Sequence, residues 1–94
     1  MEGIPRVVSV EPLAQAELRV RFENGVDKIY DCRPLLDRPQ FRSLTNAAFF
    51  RAVRVDPGGY GISWSNDIDL SEYELWVRGT PPTKEPAQPE GRAT

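Results

Sequence analysis

Apolar and polar residues alternate over Glu17–Phe22: Leu18, Val20 and Phe22 fall on one face, Arg19 and Arg21 on the other. A period of two marks a strand with one face buried and the other in water. Glu23-Asn24-Gly25 follows, and Gly25 can take the positive φ of a bulged hairpin loop. The chain then returns over Val26–Cys32. A three-residue loop pairs Phe22 with Val26 and Leu18 with Tyr30, whereas a two-residue Asn24-Gly25 turn sets Phe22 opposite Asp27. The first register keeps apolar groups together and is the one expected, since a slip of one residue turns the whole apolar set outward.

The flanking segments predict further elements. Pro5–Val10 is rich in valine and reads as a first strand, with Pro12 as its stop and Ala14-Gln15-Ala16 as the connection. Arg33–Asp37 reads as one helical turn with Pro34 near its start, broken by Arg38-Pro39. Phe41 and Leu44 are expected in the core, and Asn46–Phe50 forms one or two helical turns with Thr45 as cap. Ala52–Asp56 and Tyr60–Trp64 read as strands joined by Pro57-Gly58-Gly59, a second hairpin with Tyr60, Ile62 and Trp64 facing inward.

Ser71 with Glu74 forms a capping box, and Leu70 with Leu75 a hydrophobic staple, so a helix begins there directly after the strand. It ends near Arg78-Gly79, with Gly79 as a left-handed terminator. The fold class expected is α+β: a mostly antiparallel sheet of about five strands, with short helical segments packed on one side. One domain spans 1–79. From Thr80 to Thr94 the chain has four prolines and no large apolar side chain, so 80–94 reads as a disordered tail.

Composition narrows the chemistry. Without the tail, the domain over 1–79 approaches the lower limit for an unaided core, so a partner or a second copy covering apolar surface would help. The net charge of −2 gives no overall field favouring nucleic acid. With no histidine and one cysteine there is no imidazole base, no Cys/His nucleophile, no internal disulfide and no cysteine-rich zinc site. Ser63, Ser65 and Ser71 lack an activating imidazole, and nothing supports a serine–lysine pair with Lys28 or Lys84. No apolar run is long enough to span a membrane, and the N-terminus lacks a secretory h-region, so a cytoplasmic location is expected. No cofactor is implied.

Three constellations remain. Asp67 and Asp69, with Glu72 and Glu74, set carboxylates around a strand-to-helix junction, with Asn66 beside them as a further candidate contact; a weak cation site or an acid/base pair competes there with simple complementarity to a helix N-terminus. Trp64, on the alternating apolar face, is expected in the core. Tyr73 and Trp76 share a helix face, and Trp76, in the last turn, is the candidate for a partly exposed anchor. Arg33, Arg38, Arg42, Arg51 and Arg54 against Asp37 give the segment 33–54 a charge of five minus one, +4, with Phe41, Phe49 and Phe50 interleaved. Such a segment can bind single-stranded nucleic acid, but a basic patch beside an acidic one suits docking to another protein or to a second copy. Cys32 reads as a small buried hydrophobe.

Order and spacing carry a resemblance. Val7-x-x-Val10-x-Pro12 leads to Leu18-x-Val20-x-Phe22-Glu23-Asn24-Gly25, then to Asp31-Cys32-Arg33-Pro34-Leu35-Leu36 and Phe41-x-x-Leu44 before Phe49-Phe50. Ile62-x-Trp64-x-Asn66-x-Ile68-Asp69-Leu70 closes the series. Over roughly 5–76 this resembles the DUF2442 family, small bacterial domains of unknown function. The resemblance implies an α+β fold. Some members are fused to a helix-turn-helix; others stand alone and are suspected of belonging to toxin–antitoxin-like gene pairs. With its short Pro-rich tail, this chain is expected to be of the second kind. The family offers no established catalytic residue to carry over. The expected function is a non-catalytic binding module for another protein, antitoxin-like and paired with a neighbouring gene's product, or for itself. Nucleic-acid binding by the arginine segment is the first alternative, and a metal-dependent enzyme using Asp67 and Asp69 the second.

Overall fold

Two three-stranded antiparallel sheets, with orders β1-β2-β3 and β4-β5-β6, replace the single five-stranded sheet expected from the sequence. They are seen in a computed structural model that describes residues 3–82. The first sheet comprises β1 (Val7–Leu13), β2 (Glu17–Phe22) and β3 (Asp27–Asp31). Leu18 pairs with Tyr30, and the Phe22 N–H donates to the Val26 carbonyl at 2.9 Å, which is the expected hairpin register. Gly25 takes φ 86°, as the loop requires.

β1 runs through Pro12, which was expected to end it. Pro12 pairs with Leu18 on an edge strand, where the missing N–H leaves no internal ladder bond open. The register shifts between Val7 and Ser9, so Val8 is the extra residue of a bulge. Ala14–Ala16 then turns the chain tightly, with Gln15 and Ala16 both at positive φ, 62° and 59°.

After β3 come two 3-10 segments, Arg33–Asp37 and Pro39–Thr45, divided at Arg38 in extended conformation. They bury Leu35, Phe41 and Leu44. α1 (Ala47–Arg51) is capped by Asn46 and not by Thr45: the Asn46 Oδ1 accepts from the Phe49 N–H at 2.9 Å, while the Thr45 hydroxyl donates to the Arg42 carbonyl.

The second sheet holds β4 (Arg54–Val55), β5 (Gly61–Ser65) and a strand not foreseen, β6 (Ile68–Ser71). Asn66 and Asp67 form the β5–β6 turn, so the strand-to-helix junction read from the sequence contains a complete extra strand. β5 is central and buried on both faces from Gly61 to Trp64. Tyr60, expected inward, lies just before β5 and is exposed, with the Arg6 guanidinium 4.3 Å from its ring centroid. A side chain at Gly61 would collide with the Leu70 carbonyl of β6, and one at Gly59 with the backbone of β1.

α2 (Glu72–Arg78) follows β6 without a loop. Ser71 caps it by accepting from the Glu74 N–H at 3.1 Å. Gly79 is extended, φ −68° and ψ 153°, and is not a left-handed terminator. A Cβ there would strike the Leu75 carbonyl and crowd the Lys28 side chain, so close approach explains the glycine. Thr80 exchanges hydrogen bonds of 2.7 and 2.9 Å with Ile29, tying the chain after α2 to the outer edge of β3. The rest of the tail expected over 80–94, from Thr83 onward, lies outside the described residues.

One apolar cluster joins the sheets and helices. Leu18, Val20 and Phe22 from β2, Ile62 from β5, Leu75 from α2 and Cys32 are fully enclosed in it. Trp64 is buried as expected, stacked on Phe50 at 6.1 Å, its indole N–H donating to the Phe50 carbonyl at 2.9 Å. Among the described residues, no helix is long and apolar enough to cross a membrane.

Candidate interaction surfaces

α2 presents two different faces because its apolar residues do not keep to one side. Leu75 points into the core with no exposed surface. Trp76, the anchor expected from the sequence, is only partly open: its ring meets Phe22 edge-on at 5.0 Å and 81°, and packs against the core. The Lys28 ammonium covers it from outside, 4.0 Å from the ring centroid, and donates to the Trp76 carbonyl. The indole is thereby fixed in place. Tyr73 and Val77, four residues apart on the helix, are the open apolar pair at 60% and 53% exposure.

Glu74 does not complete a reciprocal capping box. Its carboxylate accepts the Tyr30 hydroxyl at 2.7 Å and lies 3.7 Å from Arg78. Burial, then this bond to a carboxylate, pushes the Tyr30 phenol far above its ordinary range. A polar cleft of about 610 Å³ opens beside the contact, lined by Tyr30, Asp31, Arg38, Asp69, Glu74 and Arg78, among others. Most of its charge is internally matched: Arg33 holds Asp31 with side-chain hydrogen bonds of 2.8–3.2 Å, which lowers the carboxyl and raises the guanidinium.

Asn66, Asp67 and Asp69 are exposed. Asp67 sits in the β5–β6 turn, its N–H donating to the Ser65 hydroxyl at 3.3 Å, while Asp69 is on β6 opposite Ser63 and lines the cleft. Among the described residues, no three of His, Cys, Asp and Glu come together in a set that could hold a metal ion.

The five arginines do not form one patch. Arg38 belongs to the cleft, while Arg33 and Arg51 line a separate groove of about 750 Å³. Arg42 and Arg54 line neither. All five are exposed, and among the described residues only Arg33 has an ion pair. Phe41 and Phe50 are buried, and Phe49 is half-buried against the core, so these aromatics offer no open stacking platform.

Two features escaped the sequence reading. On the outer face of the first sheet Asp27 receives Arg21 at 2.7 and 3.1 Å and Arg19 at 3.2 and 3.4 Å. The Arg21 bonds foremost hold its carboxyl down to about 2. The hairpin register, which pairs Arg21 with Asp27, was the available signal. The second is the groove itself, walled by the Ala14–Ala16 turn, the Arg33–Asp37 segment and α1. The lone thiol, Cys32, is enclosed, and burial raises it to about 12, away from reactivity.

Compared with known proteins, residues 7–81 match the family described as "Protein of unknown function (DUF2442)". No curated protein and no solved structure matches the chain.

Proposed function

We propose that this chain, which belongs to the DUF2442 family of proteins of unknown function, acts as a non-catalytic binding module for another protein, through the outer face of α2. The observation that carries the reading is the open pair Tyr73 and Val77 beside an indole already fixed by Phe22 and Lys28. A side chain held rigid before contact loses little entropy on binding, and aromatic anchors of this kind dominate interface energies. Asp67, Asp69 and Glu72 lie in the turn, strand and first helical turn leading to that face. The partner they suit has an apolar centre and a basic rim. A protein encoded by the neighbouring gene, bound in an antitoxin-like way, is the partner we favour.

The test is co-expression with the neighbouring gene's product and measurement of the complex by calorimetry. Tyr73→Ala and Val77→Asp should each weaken it about tenfold or more. As exposed changes, they should leave stability within about 0.5 kcal/mol. Absence of any complex, or equal affinity in both variants, would refute the α2 reading. A second reading, nucleic-acid binding by Arg33, Arg38, Arg42, Arg51 and Arg54, draws on the four of these that make no ion pair among the described residues. It requires affinity that falls steeply with salt and with Arg42→Ala.

A further inference from the structure

We propose that the groove between the β1–β2 turn and α1 is a binding site for an amphipathic organic anion, an apolar body ending in one carboxylate, sulfonate or phosphate. The site shares no residue with α2. Its volume, about 750 Å³, falls within the range of small-molecule sites. Leu13, Leu36, Leu44 and Phe50 supply apolar lining.

Charge and polar capacity decide what fits. The lining includes two arginines and no carboxylate. Arg33 is engaged by Asp31, whereas Arg51 has no ion pair among the described residues and keeps its fork free for an anion. The remaining polar side chains are few: Gln15, and Thr45, whose hydroxyl donates to the Arg42 carbonyl. An extended peptide brings a donor and an acceptor at every residue, and few side chains in this lining could answer them. A ligand whose polar atoms gather at one end leaves the apolar walls to its body.

The wall opposite α1 has unusual backbone. Gln15 and Ala16 are consecutive non-glycine residues in the left-handed region, a costly arrangement that persists only where the surroundings enforce it. Here the Ala16 carbonyl accepts the Cys32 N–H at 2.9 Å, locking the turn against the buried residue that follows β3. Such enforced conformations concentrate at ligand clamps. The wall is thus set before any ligand arrives.

Octanoate serves as the probe, titrated into the full chain by calorimetry, with octan-1-ol and octyltrimethylammonium as uncharged and cationic counterparts. Octanoate should bind, and the other two should bind at least about tenfold more weakly. Arg51→Glu should weaken octanoate about tenfold or more, while Arg42→Glu, outside the groove, should stay within about twofold. Ala47→Trp, at an exposed position in the lining, should abolish binding by filling the groove. Circular dichroism of each variant confirms that it is folded. No octanoate binding, octanol binding as tightly, or equal losses in the two arginine variants would overturn the proposal. A dimer that Ala47→Trp disperses and octanoate does not would also overturn it, by assigning the groove to a second copy.

Discussion

The outer face of α2 and the groove beside α1 both offer apolar surface, with opposite shape and opposite charge. At α2, Glu74 serves Tyr30 and Arg78 and Lys28 serves Trp76, while Asp67, Asp69 and Glu72 beside them make no ion pair among the described residues. The open centre is apolar and convex, Tyr73 and Val77, with the exposed Asp67 and Asp69 on the elements leading to it. In the groove the apolar groups are sunk into the lining, and the open group is a cation, Arg51. A convex apolar face with an acidic rim gains by being covered over a wide area by a partner of complementary charge. A concave apolar site with an unpaired cation gains by taking a small anion.

The sharpest way to separate the two regions is to loosen one of them from the core. Leu75 is the fully enclosed side chain of α2, so Leu75→Ala should cost about 2–5 kcal/mol in urea unfolding. Octanoate affinity of the fraction that remains folded should be preserved, because Leu75 does not line the groove. A cost below about 1 kcal/mol would mean that α2 rests loosely on the sheets, and the α2 surface would lose its rigid base.

Next in size are two backbone tests, one for each region. Ser71→Ala removes the hydroxyl that caps α2 and should destabilise by about 1 kcal/mol. Gln15→Gly acts in the opposite sense. The left-handed conformation costs a non-glycine residue about 1–2 kcal/mol, and glycine's extra chain entropy returns about 0.5–1 of that. A net gain of up to about 1.5 kcal/mol in the unfolding free energy is expected. If the gain comes with weaker octanoate binding, the strained turn serves the site; a loss of stability would show that Gln15 is not strained.

How far the sequence revealed these regions depends on what signals each uses. The β2–β3 register was legible because six residues alternate strictly and Gly25 sits where the loop needs positive φ. β6 was not: it has four residues, and its Leu70 read equally well as the staple before Ser71. The inward face assigned to Tyr60 failed because β5 is covered on both sides, so alternation there separates no buried face from a wet one. Tyr73 and Val77 were hard to rank above Trp76, because no local pattern announces that Lys28 will cover the indole. The groove left almost no trace. Its strained wall carries no glycine, and its arginines are spaced through 3-10 and helical segments whose facing is set by tertiary contacts.

One more effect appears only at high pH, and it has one contributor on each side of the comparison. Cys32 lies behind the groove's locked turn, and Tyr30 holds Glu74 of α2. Burial is the main cause of both shifts, raising the thiol from 9.0 to about 12 and the phenol well above 10.0. A group whose folded value is raised binds its proton more tightly when folded. Its stabilising contribution is therefore complete below the unfolded value and is lost as pH rises through the folded one. Stability should be level near neutrality, begin to fall above about pH 9 as the unfolded thiol ionises, and fall faster above about pH 10 as the unfolded phenol joins it. Cys32→Ala should remove the first part of that slope and Tyr30→Phe the second, whatever each does to stability at pH 7. Urea midpoints measured from pH 7 to pH 11 would show this. A slope unchanged in Cys32→Ala would mean that the thiol behind the turn reaches water, and the groove's wall would then be looser than its hydrogen bond to Ala16 implies.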